Sequence, residues 1–132
     1  MKRIASAVVT SAGPNYVHAV ETAGFNLVAD EPLGAGGQNA GPGPFNLLLA
    51  GLGACTAITL KMYADRKGWS IGKFRVALTL DRDEDGNTSI ARRLSSDAPL
   101  DSAQWDKLVE IAEKTPVTRT LRAGASITTT RD

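Results

Sequence analysis

The chain has few of the residues that most often carry chemistry: one cysteine, Cys55, and one histidine, His18, among 132 residues. A single cysteine cannot form a disulfide within the chain, which fits a reducing compartment. One cysteine and one histidine without ligand-like spacing also predict that no metal is bound, and nothing in the sequence indicates a cofactor. The formal net charge is +1, so no excess of positive charge would attract nucleic acid or an anionic membrane surface.

Long apolar runs are also scarce. Residues 1–6 include the basic start that a signal peptide would have, but Ser11 and Gly13 interrupt the apolar residues that follow. The apolar run at 45–60 is shorter than the ~20 residues that a membrane span needs. We therefore predict a cytoplasmic protein without a membrane partner, in which this run forms a buried core helix.

What is present indicates one α+β domain over residues 1–132. Residues 2–10 and 16–30 are rich in Val, Thr, Ala and Phe, and they predict an N-terminal β meander of two or three strands. The stretch 30–43 is rich in glycine and proline. It predicts a loop that lies close against another part of the structure, because glycine permits such approach.

A long central helix is predicted over 44–67, because Pro44 suits a first helical turn and Gly68 a left-handed cap. Apolar residues occur on nearly every side of this helix, so protein should surround it. Gly51 and Gly53 each cost about 1 kcal/mol relative to alanine, a cost that the close approach of another backbone usually offsets. So small a chain cannot easily cover such a helix, and we predict an intertwined homodimer in which a second copy covers one side.

The second half predicts a hairpin, a helix and a strand. Alternation over 73–81 indicates a half-buried strand, and residues 88–94 return as its partner. A capping box at Asp101 opens a second amphipathic helix, which Pro116 stops, and residues 125–130 form a closing strand. The inward face of that helix is predicted from its apolar residues: Trp105, Leu108, Val109, Ile111 and Ala112. Strands and helices are segregated along the chain, as in α+β domains.

Three segments resemble a known family. Residues 41–56, with the sequence GPGPFNLLLAGLGACT, are similar to the first-cysteine motif of the OsmC/Ohr family, the osmotically inducible and organic-hydroperoxide-resistance proteins. Residues 62–69 resemble the exit of the same helix, and residues 111–121 resemble the family's second-cysteine segment. The resemblance covers most of the chain from about His18 onward, in the right order.

The resemblance implies a fold and an activity. The family's fold is an intertwined α+β dimer with reactive cysteines near the subunit interface. Its active members reduce organic hydroperoxides: a thiolate attacks the peroxide, a sulfenic acid forms, a second cysteine closes a disulfide, and an external dithiol restores the enzyme. By residue-by-residue correspondence, Cys55 takes the position of the peroxide-attacking thiol. The implied partners are a second copy of the chain, a hydroperoxide and an external thiol reductant.

The chain departs from the family's pattern at the other catalytic positions. Thr115 stands at the position of the second cysteine, so the chain has no resolving thiol. The family's glutamate would fall at Phe45 or Asn46, neither of which is acidic. Thr118 stands where related sequences often carry a histidine. The family's arginine comes from the N-terminal strands, but no arginine lies between residues 3 and 66.

The surroundings of Cys55 decide whether it reacts. A reactive thiol needs a helix N-terminus or a cation nearby, and Cys55 lies about eleven residues into its predicted helix, too far from the N-terminal end. An activating group must come from elsewhere in the fold or from a second copy, and the sequence does not rank Arg3, Arg92 and Arg119. Thr56 and Thr59 either bond back to helix carbonyls or line a pocket at Cys55.

Two functions therefore stay open. The first is a thiol-dependent organic hydroperoxide reductase in oxidative stress defence, with a single cysteine or a reduced rate. Its catalytic residue would be Cys55, and its neighbouring or pocket residues would be Asn46, Phe45, Thr59, Thr115 and Arg119. The second is a non-catalytic OsmC-like dimer that binds a small apolar ligand. In that case Cys55 is a small buried hydrophobic residue, as free cysteines often are.

Overall fold

Three short antiparallel strands open the chain in the computed structural model, which describes residues 1–132. They are β1 (Val8–Ser11), β2 (His18–Thr22) and β3 (Phe25–Ala29), in the sheet order β1-β2-β3. The two residues that join β2 to β3, Ala23 and Gly24, both have positive φ, as a tight hairpin turn requires. The predicted N-terminal meander is confirmed.

The loop after β3 is organised around the buried side chain of Asp30. Its carboxylate accepts hydrogen bonds from the backbone N–H groups of Glu31 at 2.7 Å, Gln38 at 2.9 Å and Ala40 at 3.1 Å. Burial raises the pKa of Asp30, but these three N–H groups together outweigh it and hold the pKa below its ordinary value. A Cβ on Gly37 would lie 1.9 Å from the Glu31 carbonyl oxygen, so the predicted close approach of a glycine is confirmed.

The central helix α1 spans Pro44–Lys67, as predicted, and Gly68 ends it with a φ of 72°. In one chain its buried residues lie on a single face: Leu52, Gly53, Thr56, Leu60 and Ala64. The prediction that protein surrounds α1 therefore holds on one face only within a single chain. By length and composition α1 could cross a membrane, a property that core helices of soluble proteins share. The run 45–60 is too short to span a membrane, but this reasoning does not apply to the complete helix, Pro44–Lys67.

The opposite face of α1 is apolar and exposed. We call it the open face, and define it by Gly51, Ala54, Ile58 and Met62. Ile58 and Met62 keep 54% and 55% of their surface exposed. A Cβ on Gly51 would meet nothing within 4 Å, whereas a Cβ on Gly53 would lie 2.7 Å from Cδ1 of Leu78. Close approach therefore explains Gly53, through a side chain rather than a backbone, and leaves Gly51 without a packing reason inside one chain.

A long antiparallel hairpin follows α1. Its strands are β4 (Phe74–Arg82), shifted by one residue from the prediction, and β5 (Thr88–Ser96), two residues longer than predicted. The predicted alternation is confirmed in β4, where the inward positions are at least half-buried: Phe74, Val76, Leu78 and Leu80. The turn is held by the carboxylate of Asp83, which accepts hydrogen bonds from the backbone N–H groups of Asp85 and Asn87, both at 2.9 Å.

The helix α2 (Ser102–Ala112) begins at the predicted capping box. The carboxylate of Asp101 accepts from the N–H of Gln104 at 2.8 Å, and the Gln104 side chain accepts from the N–H of Asp101 at 3.0 Å. The helix contributes to a core shared with α1: Leu60, Ala64, Ile71, Leu108 and Ala112. The prediction that Val109 points inward is wrong, since half of its surface is exposed.

In the C-terminal part, the structure corrects two predictions made from the sequence. Pro116 begins a third helix, α3 (Pro116–Ala123), which we did not predict; proline at the first position loses no hydrogen bond there. The predicted closing strand at 125–130 is wrong, because these residues are exposed and have no regular structure. Residues 127–130 are β-branched and favour extended backbone, but a strand also needs a neighbour to bond with, and none pairs here.

Strands and helices are segregated in the α+β architecture that the sequence predicts, with one three-stranded and one two-stranded antiparallel sheet. The structure divides into two compact units, Met1–Leu48 and Leu49–Asp132. The first holds the three short strands, the Asp30 loop with its 3-10 turn at Leu33–Ala35, and the first turn of α1. The second holds the rest of α1, the hairpin, α2 and α3. That all 132 residues act as one domain stays a prediction.

Candidate functional site

Cys55 lies on α1 at the border of the open face. It is a free cysteine that is partly exposed, so water reaches this residue. Each helical residue turns the chain by about 100°, so Cys55 shares its side of α1 with Gly51 one turn before it and with Ile58 and Met62 after it. Cys55 is therefore not fully buried in the core of one chain, and its neighbours along this side of the helix are apolar.

Thr56, the next residue, points to the opposite, buried side of α1. Its hydroxyl donates a hydrogen bond to the carbonyl oxygen of Leu52 at 2.7 Å. The hydroxyl oxygen of Thr56, Oγ1, in turn accepts a hydrogen bond from Nη1 of Arg92 at 2.9 Å. A threonine within a helix often bonds back to the preceding turn. Here that bond also presents the hydroxyl lone pair to a cation on the hairpin.

Arg92 projects from β5 toward the helices because of strand alternation. Ile90, Arg92 and Leu94 occupy every second position and therefore share one face of the hairpin, while Arg93 is exposed on the other. Besides Thr56, Nη1 of Arg92 donates to Oγ1 of Thr118 at 2.8 Å. Arg92 is half-buried and forms no salt bridge. It is the cation that the fold places beside Thr56.

Thr115 and Thr118 complete this arrangement at the start of α3. Thr115 is the residue before the first helical position, and only 1% of its surface is exposed. Its hydroxyl lies 2.7 Å from that of Thr118, which in turn accepts from Arg92. Together Thr56, Arg92, Thr115 and Thr118 form what we call the threonine–arginine cluster. The position of the family's second cysteine is thus occupied by a hydroxyl within hydrogen-bonding distance of a residue that anchors an arginine.

Glu113, a carboxylate that Arg92 affects electrostatically, is paired with another arginine. Glu113 forms an ion pair with Arg122, whose hydrogen bond is the main reason that the pKa of Glu113 is held below its ordinary value. Arg92 adds a smaller electrostatic contribution in the same direction. Glu113 is therefore within electrostatic range of Arg92 without bonding to it.

Most of the other predicted site residues lie outside the threonine–arginine cluster. Thr59 is half-buried and lies one turn after Cys55 on α1. Arg119 is exposed on α3 and is not a member of the cluster. Phe45 and Asn46 are exposed in the first turn of α1, in the N-terminal unit. Of the predicted site residues, only Thr115 belongs to the cluster. Cys55 does not.

Thr118 was not predicted as a site residue, Thr56 was predicted either to bond back to its helix or to line a pocket, and Arg92 was one of three unranked cations. The alternation of β5 carried a signal, because it places Arg92 on the apolar side of the hairpin. The partners of its guanidinium come from α1 and α3, and no local pattern reports such contacts. No three His, Cys, Asp or Glu side chains come together as metal ligands.

The sequence profile of the OsmC-like protein family matches residues 36–130, which is more than half of the chain. The chain belongs to this family. No curated protein matches it significantly.

Solved structures share the fold at low sequence identity. The OsmC-like protein of Mycoplasma pneumoniae is 22% identical with a TM-score of 0.77, over 92% of this chain and 89% of its own. An organic hydroperoxide resistance protein OsmC of Legionella pneumophila is 22% identical with a TM-score of 0.69, over 91% and 90%. The organic hydroperoxide resistance protein OhrB of Bacillus subtilis is 22% identical with a TM-score of 0.63, over 91% of each chain. At these identities the likeness establishes the fold.

Proposed function

We propose that this protein is a thiol-dependent organic hydroperoxide reductase that works with a single cysteine. The observation that carries the proposal is the position of Cys55: a partly exposed thiol on the central helix of an OsmC-like fold. Two proteins of similar fold, from Legionella pneumophila and Bacillus subtilis, are named as organic hydroperoxide resistance proteins. Among the side chains of this chain, a thiolate is the group best suited to attack a peroxide oxygen.

The proposed reaction has three balanced steps. The Cys55 thiolate attacks one oxygen of the hydroperoxide, the O–O bond breaks, and the alkoxide that leaves takes up a proton to become an alcohol. Cys55 is then a sulfenic acid. A first external thiol condenses with it, which releases water and forms a mixed disulfide, and a second external thiol displaces Cys55 as a thiol. Overall, one hydroperoxide and two thiols give one alcohol, one water and one external disulfide.

Thr115 is the reason for assigning both reducing equivalents to external thiols. It stands at the second-cysteine position and holds a hydroxyl, which cannot close a disulfide. A cytoplasmic location, which we propose, would supply reduced thiols continuously. We expect no nucleic acid or membrane partner, because the net charge is only +1.

We further propose that a second copy of the chain covers the open face of α1. Ile58 and Met62 expose apolar surface side by side, and Gly51 lowers helix propensity by about 1 kcal/mol without packing against anything in its own chain. Cys55 borders this face, whereas Arg92 lies on the other side of α1. Side chains of the second copy would therefore complete the surroundings of the thiol.

The test compares the parent with Cys55→Ser. Cumene hydroperoxide is added below stoichiometry and the intact mass is measured, with and without a thiol that traps sulfenic acid. We expect a trapped adduct on the parent and none on Cys55→Ser, and turnover with dithiothreitol only in the parent. Thr79→Ser, at an exposed position of β4, serves as a control that keeps the activity. An unmodified Cys55 in folded protein would overturn the proposal.

One observation favours a second function, binding without turnover. The chain keeps a buried cation held by hydroxyls but lacks the second thiol of the family's cycle. In that case the protein is an OsmC-like dimer that binds a small, largely apolar ligand. Cells that carry Cys55→Ser would then survive tert-butyl hydroperoxide as well as cells with the parent protein, whereas the reductase proposal expects them to be more sensitive.

A further inference from the structure

We propose that Arg92 binds the carboxylate of a small amphipathic organic acid. This site goes beyond the proposed peroxide chemistry and does not depend on Cys55 being reactive. It is formed entirely within the C-terminal unit, by the threonine–arginine cluster and by apolar side chains beside Arg92 on the hairpin. Three parts of this site favour a carboxylate with an apolar chain: the free edge of the guanidinium, the missing counter-charge, and the apolar surface around it.

The first part is the hydrogen bonding of Arg92. Both of its bonds to the protein leave from Nη1, to the hydroxyls of Thr56 and Thr118. Nε and Nη2 have no acceptor, and no buried side-chain nitrogen lacks a partner, so this edge is open to water. The N–H groups of Nε and Nη2 are parallel, which matches the two oxygens of a carboxylate. The threonines thus fix the guanidinium by one corner and leave its bidentate edge for a ligand.

The second part is charge. Half-buried cations are normally neutralised by a carboxylate, because burial weakens their hydration. Arg92 has two neutral hydroxyls instead, and Glu113, whose pKa Arg92 lowers slightly, is paired with Arg122. Arg119 follows Thr118 on α3, and this helix contains no acidic residue. An anion at Arg92 would therefore meet a net positive surrounding.

The third part is the apolar surface of the hairpin. Leu78 is the direct cross-strand neighbour of Arg92, and Ile90 and Leu94 lie two residues away on the same face. Ile90 keeps 38% of its surface exposed. A carboxylate with a short aliphatic chain could pair with Arg92 and lay its chain against Ile90. A fully apolar ligand, as the sequence suggested, would leave the cation without its partner.

The experiment titrates the full-length protein with hexanoate and follows by NMR both the Nε–H resonances of its arginines and the backbone amide resonances, which are also present in variants of Arg92. We expect a saturable shift of the Arg92 signal, with a dissociation constant on the order of a millimolar because the ligand is small. The neutral analogue 1-hexanol should bind at least about tenfold more weakly, because it cannot form the charged bidentate pair. Equal affinity for hexanoate and 1-hexanol would overturn the proposal.

Variants locate the site. Arg92→Met should lose hexanoate binding, and Arg93→Met, the adjacent residue on the outer face, should keep it. If Arg92→Met does not fold, Arg92→Lys retains the charge without the planar fork and should bind about tenfold more weakly. Binding that survives in folded Arg92→Lys at parental strength contradicts the site. The titration is repeated in Cys55→Ser, which should bind as the parent does; failure of the reductase proposal therefore leaves this result untouched.

Discussion

The two sides of α1 are built from similar residues and meet different surroundings. On one side Leu60 and Ala64 are completely covered by the core that α2 shares, and Gly53 lets Leu78 approach the helix. On the other side Ile58 and Met62 are more than half exposed, and Gly51 faces open space. Composition alone does not distinguish these sides. A single chain therefore covers only one side of α1. The other side is left exposed, where a second copy could cover it.

The largest expected effect comes from truncating the covered side. Leu60→Ala should lower the free energy of unfolding by about 2–5 kcal/mol, because it removes a fully buried side chain and leaves a cavity. Ile58→Ala should change it by no more than about 0.5 kcal/mol in dilute, monomeric protein. Urea unfolding of both variants over a range of protein concentrations measures this. Equal losses at high dilution would mean that the two sides do not differ within one chain.

A charge on the open face tests the second copy directly. Ile58→Glu should weaken self-association at least about tenfold, because a carboxylate would be buried at an apolar contact without a partner. Light scattering during size exclusion measures the mass. Val109→Glu is the matched control, since Val109 is equally exposed but lies on α2. If the parent is already monomeric at micromolar concentration, the dimer proposal is wrong.

A smaller effect is expected at the cluster. Thr56→Val should lower the free energy of unfolding by about 1–2 kcal/mol, because the buried hydroxyl bonds both the Leu52 carbonyl and Arg92. Thr59→Val makes the same chemical change at a half-buried position and should cost less. Thermal unfolding of the pair, at one protein concentration, gives the difference. If Thr59→Val lowers the free energy of unfolding more than Thr56→Val does, then the hydroxyl of Thr59 makes an important polar contact of its own.

The smallest effect concerns the two glycines. Gly51→Ala should stabilise dilute protein by up to about 1 kcal/mol, because alanine favours the helix and its Cβ meets open space. Gly53→Ala should gain less, since its Cβ would force Leu78 to move. At concentrations where the protein is dimeric, Gly51→Ala should lose its advantage if a second copy packs there. Unfolding at two concentrations separates these cases.

The sequence predicted most elements of the fold because their signals are local. Pro44 and Gly68 bound α1, alternation marks β4, and the Asp101 capping box marks the start of α2. The errors arise where the local pattern does not decide the structure. Residues 125–130 favour extended backbone but have no strand beside them, and Pro116 was interpreted as the end of a helix although it begins one.

The candidate site was less predictable than the fold. The motif around Cys55 is contiguous and pointed to the family at once. The cluster joins α1, β5 and α3 through hydroxyl contacts, and hydroxyl groups at Thr56 or Thr118 have no spacing that distinguishes them from ordinary helical threonines. Arg92 could have been ranked first among the three cations, because β5 alternation turns it inward and leaves Arg93 outside.

The Asp30 carboxylate sets an acid limit on the glycine loop. Its three N–H bonds need the ionised form, and its pKa in the folded chain lies below the ordinary value of 3.8. This contribution to stability is complete above the ordinary value and is lost as the pH falls through the lower, folded one. Protonation would release the N–H groups of residues 31, 38 and 40 together, so the loop should loosen as a unit in strong acid. Near neutral pH the Asp30 carboxylate stays ionised and keeps its three hydrogen bonds, so the loop stays closed around it.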